Sequence, residues 1–185
     1  MTSRFASLSP SDMTPEQRSA YEAIAAGPRG GVRGPFNALL RSPGLADRFQ
    51  KVGEFIRFHS SLPARLNELA ILVVARHWTA QFEWYAHRKL ALAAGLDPKA
   101  ADEIAAGLRP GALKADESAV YDFCRELLED KQVTDATYGT AVGLFGERGV
   151  VDLVGACGYY TMVSMVLNVD RHPLPADAVP LKALA

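Results

Sequence analysis

Cysteine is nearly missing from this chain. The 185 residues hold two, Cys124 and Cys157, far apart in sequence and in no metal-binding or redox spacing. That excludes a disulfide framework and a C-x-x-C centre, suits a reducing compartment without requiring one, and leaves both thiols as expected core residues. An excess of either charge is also missing. Lys and Arg total 20 against 21 Asp and Glu, the formal net charge is -1, the pI is near 6.4, and no long basic run occurs. Nucleic acid and anionic membrane surfaces are therefore excluded as expected partners. The N-terminus, MTSRFASLSPSDMTPEQRS, has no apolar core of a secretory signal, and no apolar stretch reads as both long and uncharged enough to span a bilayer. A cytoplasmic protein with no membrane partner is expected. No alternating strand pattern or low-complexity segment appears, and the glycines around Gly34 lack the spacing of a phosphate cradle.

What is present is apolar helix. Hydrophobic residues make up 49% of the chain, enough for one well-buried core and one domain spanning residues 1–185. Thr14-Pro15-Glu16-Gln17 carries a cap, a first-turn proline and a capping-box Gln, predicting a helix to Gly27. An irregular loop, GPRGGVRGPF, follows. Ser42-Pro43 opens a second helix with Leu45, Phe49, Val52, Phe55 and Ile56 at helical spacing. Leu62-Pro63 begins a third, which continues or kinks near Thr79 and stops at Gly95. Asp97-Pro98 caps a short helix ending at Gly107, Asp116 starts another, and Thr134-Asp135 caps the next. Gly146 separates that one from GVVDLVGACGYYTMVSMVLNV, whose Gly155, Ala156 and Gly158 would permit close approach by another helix. The tail RHPLPADAVPLKALA should run extended over a neighbour or stay mobile. The fold class is therefore all-α, with about six to eight helices.

The chemistry concentrates in LNELAILVVARHWTAQFEWYAHRKLALAAGL. Glu83 and His87 are four residues apart and lie one turn apart on one helix face. Glu68 enters a helix that runs through seven consecutive apolar residues, Leu69 to Ala75, and such a helix is buried. Carboxylates and an imidazole in apolar surroundings have the shifted pKa values that proton transfer needs, and structural ion pairs show the same shifts. From spacing alone Glu83 and His87 also fit a structural pair, and Glu68 could pair with Arg65 or Arg76.

These residues resemble the carboxymuconolactone decarboxylase family, which includes the alkylhydroperoxidase D proteins, over about residues 35–175. The family's hallmark is E-x11-C-x2-C-x3-H. Glu68 and His87 stand at that spacing, while Ala80 and Glu83 occupy the two cysteine positions. Arg76-His77-Trp78, Glu83-Trp84-Tyr85-Ala86-His87, Gly34-Pro35-Phe36, Phe145-Gly146-Glu147-Arg148-Gly149 and Gly158-Tyr159-Tyr160-Thr161 are similar to the decarboxylase branch. Dithiol peroxidase chemistry needs an attacking thiolate with a second sulfur in reach, and Ala80 and Glu83 supply neither.

The resemblance implies an alkylhydroperoxidase D-like domain and a cofactor-independent carbon-carbon lyase acting on a small carboxylate or lactone, as in aromatic-compound catabolism. His87 would be the general acid, Glu83 its orienting partner and Glu68 a second base or proton reservoir. Arg33 and Arg76 are the cations expected to bind substrate carboxylate, with Phe36, Asn37, Tyr159 and Tyr160 as wall residues. No cofactor or metal is expected. The family also implies homo-oligomers, trimers or hexamers. Two other readings stay open: a metal held by Glu68, Glu83 and His87, and an oligomeric binding protein without turnover.

Overall fold

The computed structural model describes residues 2–28 and 30–184. Among them the architecture is all-α, as expected: a short 3-10 turn at Pro10–Asp12, then α1 (Pro15–Ala26), α2 (Phe36–Leu39), α3 (Pro43–Phe58), α4 (Ala64–His77), α5 (Gln81–Ala93), α6 (Pro98–Ala105), α7 (Ala115–Glu129) and α8 (Asp135–Asp170). The capping box opening α1 is formed, with Thr14 Oγ1 accepting from Gln17 N at 3.3 Å and Thr14 N donating to Gln17 Oε1 at 3.0 Å. Asp97 accepts from Lys99 N and Thr134 from Thr137 N, so both capping expectations hold. Ser42 works differently. Its carbonyl, not its side chain, takes the N–H groups of Leu45 and Ala46.

The centre of the molecule is α4. Leu66 and the run Leu69–Ala75 are almost wholly buried, because α5, α6, α7 and α8 pack around this helix. α4 does not continue into α5. Thr79 breaks it with a φ of 47°, a left-handed conformation costly for a β-branched residue. The Thr79 hydroxyl is fixed there by Arg76 Nη2 at 3.0 Å. This break turns α5 back along α4 and sets the face that carries Glu83 and His87 against Glu68.

α8 behaves as two helices joined at Gly146, whose φ of 66° and ψ of 172° leave the helical region. Glycine is the residue that adopts this conformation without steric cost. The sequence reading underestimated this helix: an 18-residue window has mean hydropathy 1.6, enough to cross a membrane by length and composition alone. Packing accounts for part of its apolar character, since 56% of that window is buried inside the protein. Asp152 pins it there, accepting from Ser61 N and Ser61 Oγ at 2.7 Å each and from Ser60 Oγ at 3.3 Å. Gly155 permits close approach, since a Cβ there would lie 3.0 Å from Ile56 Cδ1 of α3, whereas Gly158 faces open space.

The proline-rich tail runs extended over α4 to α6. Gln81 brackets Leu181 with two hydrogen bonds, at 2.8 and 3.0 Å, and Leu181 is buried. At the other end, Arg4 N and Phe5 N bond to Asp170 at the end of α8. α3 presents two faces. Phe49 and Ile56 are buried, while Leu45, Val52, Phe55 and Phe58 are exposed.

Candidate active site

Glu68 on α4 and Glu83 on α5 approach His87 from opposite sides. His87 Nδ1 lies 2.6 Å from Glu68 Oε2, and His87 Nε2 lies 2.8 Å from Glu83 Oε1. All three are buried, at 9%, 4% and 6% exposure for Glu68, Glu83 and His87. A neutral imidazole has one N–H, so it can donate to only one of two carboxylates; the imidazolium satisfies both. Burial pulls the His87 pKa down, but the charge of Glu83 and the hydrogen bonds to Glu68 and Glu83 outweigh it and push the value up to about 9. His87 is therefore a cation at neutral pH, held between two acceptors.

Arg65 and Arg76 do not compete for Glu68. Arg65 pairs with Asp116 at 2.7 Å and with Glu117 on α7. Arg76 donates to the carbonyls of Ala105 and Lys182 and to Thr79.

The site opens to a cleft of about 300 Å³ whose walls include Arg33, Gly34, Phe36, Arg57, Glu83, His87, Tyr159 and Tyr160. Glu68 is not among its walls and lies behind the imidazole. Gly34 has a φ of 61°, and a Cβ there would come 3.2 Å from the Phe82 ring; this residue brings the loop carrying Arg33 tightly against α5. The aromatic wall is ordered by stacking. Phe49 stacks on Tyr159 with centroids 4.3 Å apart, and Tyr160 meets His87 edge-on at 5.0 Å. Burial, then the charge of Glu83, raises the Tyr160 pKa well above its ordinary value, so its hydroxyl stays neutral.

Four of the six expected substrate-binding residues, Arg33, Phe36, Tyr159 and Tyr160, line this cleft. Two do not. Arg76 lies at the other end of α4, at 4% exposure, where its guanidinium ties α6 and the tail. Asn37 points to the N-terminal segment, accepting from Leu8 N at 3.2 Å and donating to Phe5 O at 3.0 Å. Sequence reasoning missed Arg57. It sits in the last turn of α3, where a cation is favoured by the helix dipole and needs no further explanation, so only the tertiary fold reveals that it faces Glu83 and His87. Among the described residues neither Arg33 nor Arg57 has a carboxylate within ion-pair distance. The donor set also bears on the metal reading: both imidazole nitrogens face separate carboxylates, and among the described residues no cluster of three His, Cys, Asp or Glu is arranged around one point.

The buried carboxylate–imidazole–carboxylate cluster sits in an all-α domain with an alkylhydroperoxidase D-like fold. Residues 43–125 match the model of the Carboxymuconolactone decarboxylase family. The resemblance seen in the sequence stands over that span, which is narrower than residues 35–175; the Gly34–Phe36 loop and Tyr159–Tyr160 lie outside it yet line the cleft. No curated protein matches the sequence significantly. Among solved structures the chain is similar to an alkylhydroperoxidase AhpD core, an uncharacterised peroxidase-related protein from Ralstonia eutropha, with TM-score 0.76 and 14% identity over 96% of this chain and 94% of that one. It is also similar to a protein of unknown function from Agrobacterium tumefaciens described as a putative antioxidant defence protein AhpD, with TM-score 0.63 and 13% identity over 78% of this chain and all of the other. At these identities the likeness establishes the fold.

Proposed function

We propose that this protein is a cofactor-independent lyase of the carboxymuconolactone decarboxylase type, acting by proton transfer on a small carboxylated or lactone substrate. The observation that carries the reading is the imidazolium of His87 at the wall of a cleft that also holds Arg33 and Arg57, two guanidinium groups with no carboxylate partner among the described residues. The cations hold substrate carboxylate. The carboxylate to be lost faces the apolar ring wall of Phe36, Tyr159 and Tyr160, where poor solvation favours departure of neutral carbon dioxide. Its bonding electrons pass through an alkene into a carbonyl, and a remote carbon is then protonated.

The proton comes from the cleft side of the imidazolium. Nδ1–H remains on Glu68 behind the ring, while the Nε2–H leaves across the Glu83 contact, so Glu83 and His87 act as one acid and Glu68 holds the ring in place. The neighbours named as peroxidase-related share the fold, but Ala80 and Glu83 give this chain no thiol at the positions where the family carries its pair. The exposed apolar residues of α3, together with Val151, Val154 and Val169 on α8, support assembly into homo-oligomers, trimers or hexamers.

The test is carbon dioxide release from 4-carboxymuconolactone and a panel of related lactone acids, followed by mass and absorbance. Turnover by the native protein supports the lyase. Silence across the panel, with ligand-induced thermal shifts only from non-carboxylated compounds, removes it and favours the binding-protein reading.

A further inference from the structure

Cys124 on α7 and Cys157 on α8 meet in the core. Their Sγ atoms are 3.4 Å apart although 33 residues separate them in sequence, and both are free, buried thiols. The expectation that both are core residues thus holds, and the fold brings together two cysteines that lie far apart in sequence. α7 and α8 pack directly on one another, so the contact is a product of the main helix interface. Neither thiol lines the cleft of Glu83 and His87, and the acid/base chemistry there makes no use of them.

We propose that Cys124 and Cys157 are a modification site: a small hydroperoxide converts this thiol pair into a disulfide that ties α7 to α8. The sulfur of one cysteine, as thiolate, attacks a peroxide oxygen. The O–O bond breaks, the alcohol or water leaves, and that sulfur becomes a sulfenic acid. The second sulfur then attacks the first, the S–S bond forms and water departs. Two thiols lose two electrons and two protons in all, and the peroxide is the two-electron acceptor. A disulfide bond is about 2.05 Å long, so the sulfurs close by little more than 1 Å, a movement that side-chain rotation on two packed helices can supply. Proximity also determines the product, because a sulfenic acid formed here meets a thiol before it meets a second oxidant or another protein chain.

The environment sets the rate. The hydrogen bond shared with Cys157, which favours the protonated Cys124 thiol, then burial, raises the Cys124 pKa well above its ordinary value. The resting pair is therefore slow to react. Oxidation proceeds through the small fraction of thiolate exposed when α7 and α8 separate locally, and it quickens with rising pH. The product closes the loop from Cys124 to Cys157, restricting the unfolded chain, and fixes the helix whose Tyr159 and Tyr160 wall the cleft. Nothing in this inference depends on the reaction proposed for that cleft.

The experiment treats the full-length protein with hydrogen peroxide, then denatures it in iodoacetamide and measures intact mass and peptide maps without reductant. The expected result is loss of two hydrogens, no alkylated cysteine, and the peptide of Cys124 joined to that of Cys157. Dithiothreitol restores both thiols. The oxidised protein melts about 5–10 °C above the reduced protein, and Cys157→Ser shows no intramolecular link and no such rise. Exposed Met165 supplies an internal measure of oxidant dose. Two freely alkylated cysteines at doses that convert Met165 to its sulfoxide, stable oxygen adducts on either cysteine, or a disulfide between chains would each overturn the proposal. The measurement on native protein decides it even where a cysteine variant fails to fold.

Discussion

Glu68 and His87, nineteen residues apart and on different helices, are joined at 2.6 Å through the imidazole Nδ1. The contact exists because Thr79 breaks the chain between α4 and α5 and folds one helix back on the other. Glu83 takes Nε2 from within His87's own helix, so the ring is fixed by one local and one tertiary carboxylate. Only the local one reaches the cleft.

In the proposed reaction that division separates two roles. Glu83→Gln would remove the acceptor through which the proton leaves, and turnover should fall by about 10²–10⁴-fold with the protein folded. Glu68→Gln should leave measurable activity and instead lower the His87 pKa from about 9, because a neutral amide stabilises the imidazolium less than a carboxylate. The alkaline limb of the pH-rate profile should move to lower pH by a unit or so. A Glu68→Gln profile superimposable on the native one would show that Glu68 does not act through His87.

Stability should carry the same signature. An unfolded histidine titrates near 6.5, and folding raises His87 to about 9. The folded state thus binds the proton more tightly. The resulting stabilisation is fully present below about pH 6.5 and is lost as pH rises through about 9. It is on the order of 3 kcal/mol. Urea denaturation of native protein from pH 6 to pH 10 should show this decline, and His87→Gln should flatten it by a comparable amount. Equal slopes in the two proteins would mean that the pair does not hold a proton through this range.

Much of this was legible before the fold was known. The cap and proline signals at Thr14, Asp97 and Thr134 placed helix starts because they are local, and the i, i+4 spacing placed Glu83 against His87 for the same reason. What could not be read was which end of α4 faces the cleft. Arg76 and Glu68 lie eight residues apart on one helix, and only the packing of α6 and the tail against Arg76 takes it away from the site. Arg57 and the Cys124–Cys157 contact were hidden for the converse reason: they arise from neighbours on α5, α7 and α8 that are distant in sequence.

Asp152 offers a test of the fold independent of the cleft. It is a buried carboxylate taking three hydrogen bonds from Ser60 and Ser61, and it joins the connection between α3 and α4 to the apolar half of α8. Asp152→Ala leaves the Ser61 N–H without its acceptor and should cost about 2–3 kcal/mol, read as a lower urea midpoint with an unchanged slope. Asp152→Asn keeps one acceptor oxygen and should lose roughly half as much. A neutral Asp152→Ala would mean that water replaces the carboxylate and that apolar packing alone holds α8.

The arginines separate substrate binding from architecture. Arg57 and Arg33 face the cleft without a carboxylate partner among the described residues, so Arg57→Gln and Arg33→Gln should leave the melting temperature nearly unchanged. Each should raise KM for a carboxylated substrate about 10-fold or more, the loss of one charge-assisted hydrogen bond. Arg76→Gln should do the reverse. It removes donors from the Ala105 and Lys182 carbonyls and from Thr79, costing about 1–3 kcal/mol of stability while KM stays near the native value. Because Arg76 also steadies the strained residue between α4 and α5, kcat in that variant should fall modestly. If instead Arg76→Gln raised KM and Arg57→Gln did not, the substrate carboxylate would bind near α6 and the tail, away from His87, and proton delivery from that residue would be ruled out.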